Sequence, residues 1–408
     1  MSVAGTAFSA IDHAHMARAL RLAERGMYTT QPNPRVGCVV AHGDEIVGEG
    51  WHERAGEPHA EVFALRAAGM RARGATAYVT LEPCGLCGRT PPCADALIAA
   101  QVARVVIASE DAFQREGGAV ARLRTAGIAV ESGLLREAAR ELNRGFFSRI
   151  ERGRPWLRVK LAMSLDGRTA LANGESKWIT GEAAREDVQR WRARSSAILT
   201  GIGSVLADDP RLTVRCASLL PPGEGARRAD EGKASQVSEK GQQPSASPSS
   251  GASRHLPPAG EGKTSMPLRV VLDRNLRTPR AANVLDGSAP TLVFHAADAK
   301  PVHEGFAHAE LVWVEARDGR LDVAQVLDEL GRRGVNELQV EAGPTLCGAL
   351  LQGGFVDEWL LYTAPVALGD KARPLLAMPE LTEMTQAKRL RVVDRRQIGD
   401  DTRILYRE

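Results

Sequence analysis

The residues able to do chemistry cluster between Pro58 and Cys93. The stretch runs Pro58-His59-Ala60-Glu61, then Ala77-Tyr78-Val79-Thr80-Leu81, then Glu82-Pro83-Cys84-Gly85-Leu86-Cys87, and ends at Pro91-Pro92-Cys93. One imidazole with two or three thiols is a nitrogen and sulfur donor set that suits zinc, and three protein ligands leave a fourth position for water. Zinc brings the pKa of such a water near neutrality. Glu61, two positions after the imidazole, is placed to carry protons between that water and a leaving amine. A lone His or Cys is ordinarily a packing residue. The combination reads as a metal site. Which thiols serve is open on spacing alone: Cys84 with Cys87, or Cys84 with Cys93.

The second half offers two weaker candidates. Glu341-Ala342-Gly343-Pro344-Thr345-Leu346 lies where a strand hands over to a helix, and free amides at such a junction bind anions. Gly201-Ile202-Gly203-Ser204 also follows a strand, but it does not complete the Gly-x-Gly-x-x-Gly of a dinucleotide fingerprint. Lys160, Arg192, Arg211 and Arg215 are available as phosphate partners.

The elements that must position these residues follow from periodicity. Residues 11 to 26 read as an amphipathic helix, with Met16, Ala19, Leu20 and Ala23 on one face. Val36 to Val40 and Ile46 to Trp51 read as a hairpin turning at Gly43-Asp44. Pro58 suits a first helical turn, with Ala60, Phe63, Ala64 and Ala67 on one face. Residues 77–81 read as a strand, and Cys93 to Ala100 as a helix whose positive end favours a thiolate. Val105 to Ala108 is a strand, Ala119 to Gly127 a helix and Ala129 to Glu131 a short strand. These elements predict an α/β domain over residues 1–150.

The rest, 151–408, reads as a second α/β domain. Leu157, Val159, Leu161 and Met163 alternate with Arg158 and Lys160, predicting a half-buried strand, and Asp166-Gly167 is a turn. Strands are expected at 197–200, 268–273, 291–295, 311–315, 338–341 and 359–363, and helices at 182–195, 323–333 and 344–351. This alternation predicts a mostly parallel, doubly wound sheet. Residues 218–267 are rich in Ser, Gly, Pro, Lys, Glu and Gln, and read as a disordered insertion inside this domain.

Composition sets bounds. The 408 residues are 43% hydrophobic and 25% charged, an ordinary enzyme balance. A net charge of +3 and an aromatic content of 4% argue against nucleic acid, and no apolar run approaches the roughly 18 residues of a membrane-spanning helix. Six cysteines without a secretory leader point to a reducing cytoplasm.

The order His-x-Glu then Pro-Cys is the signature of zinc nucleobase deaminases. Over nearly the whole chain the motifs resemble one family. Residues 32–38 (Pro-Asn-Pro-Arg-Val-Gly-Cys), 56–62 (Gly-Glu-Pro-His-Ala-Glu-Val), 79–84 (Val-Thr-Leu-Glu-Pro-Cys) and 88–93 (Gly-Arg-Thr-Pro-Pro-Cys) resemble the deaminase half of the bifunctional riboflavin-biosynthesis enzymes. Residues 160–168, 176–180, 207–210 and 341–345 are similar to their reductase half.

The resemblance implies a cytidine-deaminase-like α/β/α domain followed by a dihydrofolate-reductase-like domain. It implies hydrolytic deamination of 2,5-diamino-6-(5-phosphoribosylamino)pyrimidin-4-one, then NADPH reduction of the opened ribose to a ribityl chain. His59, Cys84 and Cys93 match the zinc ligands, and Glu61 the proton shuttle. Ala162, Trp178, Ser204, Asp208 and the run Gly343, Pro344, Thr345, Leu346, Cys347, Gly348 and Ala349 match NADP-contacting positions. Ser176, Arg192, Leu212, Arg215 and Glu341 match substrate contacts of the reductase, and Asn33 and His52 those of the deaminase. The expected partners are small phosphoribosylaminopyrimidines, with the chain associating as a homo-oligomer.

Two stretches depart from the family pattern. Gly85-Leu86-Cys87 replaces a run containing Ser-His, and Asp111 to Gly118 replaces Asp-Pro-Asn-Pro and Gly-x-Gly. They raise the alternatives of a weakened or silent deaminase, or of a paralogue acting on a related pyrimidine. Restoring Ser-His at residues 85 and 86 is expected to raise the deaminase rate.

Overall fold

A computed structural model describes residues 8–85, 92–111, 118–215, 266–301, 303 and 305–408. Leu86, Cys87, Arg89, most of the 111–118 stretch and nearly all of the 218–267 insertion lie outside the described residues.

The chain opens with α1 (Ala10–Glu24), started by a reciprocal capping box between Ser9 and Asp12. The hairpin β1 (Gly37–His42) and β2 (Glu45–Trp51) turns at Gly43, with φ at +59°. Then come α2 (Ala60–Ala68), β3 (Thr76–Leu81), α3 (Cys93–Ala99), β4 (Arg104–Ser109), α4 (Ala119–Thr125) and β5 (Ala129–Ser132). They form a five-stranded sheet in the order β2-β1-β3-β4-β5. The pair β1–β2 and the pair β1–β3 are antiparallel, and β3, β4 and β5 run parallel. Side chains alternate between two buried faces. Cys38, Val40, Val79, Val105 and Ile107 pack with the apolar residues of α2, α3 and α4. Val39, Ala41, Tyr78, Val106 and Ala108 pack under Met16, Ala19 and Leu22 of α1.

Two helices that periodicity did not show, α5 (Arg136–Leu142) and α6 (Arg144–Arg152), join this sheet to the next. α6 runs through the position where the sequence suggests a domain boundary.

The second unit contains β6 (Trp156–Met163), β7 (Arg168–Ala170), α7 (Glu182–Arg194), β8 (Ala197–Gly201), α8 (Ile202–Asp208) and β9 (Leu268–Leu272). It continues with β10 (Thr291–Ala296), β11 (Glu310–Val314), β12 (Ala316–Arg317), β13 (Arg320–Leu321), α9 (Val323–Arg332), β14 (Glu337–Val340) and α10 (Pro344–Gln352). It ends with β15 (Glu358–Thr363), β16 (Arg373–Pro374), β17 (Arg391–Ile398) and β18 (Asp401–Arg407). The main sheet has nine strands in the order β11-β10-β9-β8-β14-β6-β15-β18-β17. Seven run parallel, as expected, and the β17–β18 hairpin closes one edge antiparallel.

The half-buried reading of β6 is corrected. Arg158 is fully buried, because β6 lies between β14 and β15 and both faces of the sheet are covered. Its guanidinium donates from Nε to Glu358 Oε2 (2.6 Å) and from Nη2 to Glu337 Oε2 (3.0 Å), and it sits 4.5 Å from the Trp191 ring centroid. No helix among the described residues is long and apolar enough to cross a membrane.

Candidate active sites

The first site is built where α2 and α3 abut the sheet. Helix α2 lies directly on β2: a Cβ at Gly50 would fall 2.5 Å from Ala60 O, and one at Gly48 2.2 Å from Ala64 O. This close approach seats His59 and Glu61 at the start of α2. Cys84 follows β3, and Cys93 opens α3 behind Pro92.

The donor atoms of His59, Cys84 and Cys93 all lie within 4.8 Å of one another. His59 Nδ1 is 3.2 Å from Cys93 Sγ and 3.5 Å from Cys84 Sγ, so Nδ1 is the ring nitrogen facing both thiols. Metal bonds of about 2.0–2.3 Å around a tetrahedral centre place donors about 3.5–3.8 Å apart. The triangle therefore fits zinc. The hydrogen bond from Cys93 and the neighbouring imidazole pull the Cys84 thiol down to about 4, despite its burial. The Cys93 amide also donates to Cys84 Sγ at 3.2 Å. Among the described residues this is the group found with metal-binding geometry. Cys87, the alternative ligand, lies outside them.

Glu61 is buried, and its Oε2 makes no hydrogen bond. Burial pushes its carboxyl up. An unpartnered buried carboxylate oxygen costs free energy unless it serves something, and here it lies on the helix that carries a metal ligand. Beside it, His52 Nδ1 donates to Pro58 O (3.1 Å), which leaves Nε2 to accept from Asn33 Nδ2 (3.1 Å). The His52 and His59 rings meet edge to face with centroids 5.4 Å apart. Asn33 and His52 thus form one wall next to the zinc donors.

The two departures from the family pattern touch each other. Gly85 O accepts from Arg122 Nη1 at 2.6 Å, and a Cβ on Gly85 would fall 2.8 Å from Ala119 N and 3.2 Å from Gly118 C. A Ser at residue 85 would therefore strike the backbone where α4 begins. The gain expected from restoring Ser-His therefore requires the backbone at Gly118 and Ala119 to shift.

The second site is a cleft of about 1070 Å³ at the carboxyl ends of β6, β8 and β14. Such ends are where ligands bind in open parallel sheets. Ala162, Trp178, Ser204, Asp208, Gly343, Pro344, Thr345, Leu346 and Ala349 line it, as do Ser176, Arg192, Leu212, Arg215 and Glu341. Cys347 and Gly348 do not. Cys347 is buried with its amide bonded to Gly343 O, and a Cβ on Gly348 would fall 2.1 Å from Ala377 O. These two lie behind the wall because α10 turns that face to the core.

Glu341 closes β14 and is clamped. Arg192 Nε and Nη2 donate to its two oxygens at 2.7 Å each, and Gln339 Nε2 adds a bond of 2.8 Å. Burial alone would raise its carboxyl, but the Arg192 guanidinium holds it down at about 2. Arg192 is thus paired with Glu341, and its Nη1 donates to Thr213 O at 3.0 Å. The Arg215 side chain is exposed on the cleft. Lys160 lies near Glu341 and Arg192, and burial lowers its ammonium. Arg185, which sequence reasoning missed, sits 4.7 Å from the Trp178 ring centroid.

Comparison with known proteins matches both halves of the chain. Residues 9–109 match the model of the cytidine and deoxycytidylate deaminase zinc-binding region, and residues 155–404 match the RibD C-terminal domain. The Escherichia coli K12 riboflavin biosynthesis protein RibD is 45% identical over 391 residues, 96% of this chain and 97% of that protein. A solved structure of Acinetobacter baumannii RibD has a TM-score of 0.80 at 40% identity, covering 97% of this chain and 98% of that one. A Thermotoga maritima structure has a TM-score of 0.77 at 28% identity, with coverages of 97% and 98%. It is described as a diaminohydroxyphosphoribosylaminopyrimidine deaminase/5-amino-6-(5-phosphoribosylamino)uracil reductase.

Fold and sites together define a bifunctional enzyme, a zinc-dependent deaminase joined to a reductase of dihydrofolate-reductase-like fold. The chain belongs to the RibD family, the deaminase–reductases of riboflavin biosynthesis, whose halves use zinc and NADPH.

Proposed function

We propose that the two sites act in succession on one phosphoribosylaminopyrimidine. The first would deaminate 2,5-diamino-6-(5-phosphoribosylamino)pyrimidin-4-one, and the second would reduce the ribosyl group of 5-amino-6-(5-phosphoribosylamino)uracil. Zinc held by His59, Cys84 and Cys93 would supply an acidified water at the first site. Glu61 takes up a proton there and returns it to the departing amino group. Asn33 Nδ2 is committed to His52, so Asn33 Oδ1 is left to accept from a ring N–H or amino group of the pyrimidine.

In the second site NADPH supplies reducing equivalents, and the chain orients the two ligands. The free amides of Thr345 and Leu346, at the start of α10, face the cleft as anion donors. Arg215 is the cation for the substrate phosphate. Glu341, already clamped by Arg192, recognises sugar hydroxyls rather than phosphate.

The observation that carries this reading is the His59, Cys84 and Cys93 triangle over the unpartnered Glu61 oxygen. The test is to assay ammonia release and NADPH oxidation separately on the two pyrimidine phosphates. Both activities are expected. A protein that oxidises NADPH but releases no ammonia from the diaminopyrimidine would overturn the deaminase assignment.

The chain is further read as a cytoplasmic homo-oligomer. The four described cysteines are free thiols, as a zinc site requires, and edge strand β17 exposes Val392 and Val393. Light scattering should give a mass of at least two chains.

A further inference from the structure

The loop that presents Asn33 is held largely by the other half of the molecule. Gln31 Oε1 accepts from Ser196 Oγ (2.9 Å) and from Asn336 Nδ2 (3.0 Å), and Gln31 Nε2 donates to Arg194 O (3.2 Å). Pro32 O accepts from Asn336 Nδ2 at 2.7 Å, and Arg35 Nη1 donates to Glu337 Oε1 at 3.0 Å. All these partners sit at two neighbouring places in the reductase half, the junction of α7 with β8 and the turn that opens β14. Asn336 is buried and fully engaged: its Oδ1 accepts from Arg149 Nε at 2.6 Å and its amide donates to Ser196 Oγ at 3.0 Å.

From this anchor a continuous set of contacts reaches the zinc donors. Asn33 lies one residue beyond Pro32 and two beyond Gln31. It bonds His52, and His52 bonds the carbonyl of Pro58, the residue before His59. A short surface loop left to itself samples many arrangements, and ordering it on substrate weakens binding. Here the ordering is done in advance by a side chain of the reductase.

We propose that Asn336 is a positioning residue of the deaminase, and that the reductase half completes the deaminase's pyrimidine-binding wall. This rests on the reading of Asn33 as a pyrimidine contact. Asn336 touches neither zinc donors nor the NADPH cleft, so its effect should fall on deaminase substrate binding alone. The two halves are then joined for a reason local to the first reaction.

The test uses the full-length zinc-loaded protein with four variants, Asn336→Ala, Gln31→Ala, Asn33→Ala and the double variant Asn33→Ala/Asn336→Ala. Asn336→Ala should raise the deaminase KM about tenfold and change kcat less than about threefold. Zinc should stay at one per chain, and reductase kcat/KM should be unchanged. Gln31→Ala, at a less buried site, should reproduce the KM effect if Asn336→Ala folds poorly. The double variant should be no worse than Asn33→Ala, because Asn336 acts through Asn33. A native deaminase KM in Asn336→Ala and Gln31→Ala, beside a raised KM in Asn33→Ala, overturns the proposal alone. A native KM in Asn33→Ala as well removes the reading of Asn33 and the proposal with it. Multiplying effects in the double variant, or loss of zinc and reductase activity in step with the deaminase in both single variants, also overturns it.

Discussion

At the scale of residues, the zinc assignment depends on which thiols the fold brings to His59. The spacing of His59, Glu61 and Cys84 was legible because it is local: a helix start and a strand end place those groups without long-range information. The choice between Cys87 and Cys93 was not legible from spacing. Cys93 is favoured by its place at the start of α3, with its sulfur 3.2 Å from His59 Nδ1, while Cys87 lies outside the described residues. Cys93→Ser should reduce bound zinc to well below one per chain, and Cys87→Ser should leave it near one, as read by elemental analysis of purified protein. Zinc lost from Cys87→Ser and kept by Cys93→Ser would contradict the assignment. The state of Glu341 was not legible either, since its partner Arg192 is 149 positions away in the sequence.

At the scale of elements, strands with apolar runs showed themselves and the polar ones did not. The β17–β18 hairpin was missed because β17 is almost entirely exposed and carries four charged residues. Arg158 was misread because alternation implies a wet face only where one face is open. The strand β14 shows what lies on the covered side. Glu337, at its start, accepts from Arg35, Arg158 and Arg194 at 3.0 Å each, and burial would raise its carboxyl were those guanidiniums not holding it well below the usual range. Replacing it removes the charge that three buried cations share. Glu337→Gln should cost about 3–5 kcal/mol of stability, measured by denaturant unfolding. An unchanged midpoint would mean that the cluster contributes little to holding the halves together.

At the scale of the whole molecule, two α/β sheets share a seam of ion pairs and amide contacts, and each keeps its own site. Arg407 pairs with both Glu141 and Glu358, so the last strand of the chain is tied to α5 of the deaminase half. Sequence motifs foretold the two activities, since both sites are built from short runs. They did not foretell the seam, whose partners are far apart in the chain. One polypeptide is thus proposed to house two separable reactions, with Glu61 serving only the first. Glu61→Gln keeps the size of the side chain and removes its ability to carry a proton. The most direct measurement is to follow ammonia release and NADPH oxidation by this variant, giving the diaminopyrimidine phosphate for the first and the deaminated phosphate for the second. Ammonia release should fall by about 10²-fold or more, with zinc content and NADPH oxidation as in the native protein. Ammonia release at the native rate, or loss of both activities together, would contradict this assignment of Glu61.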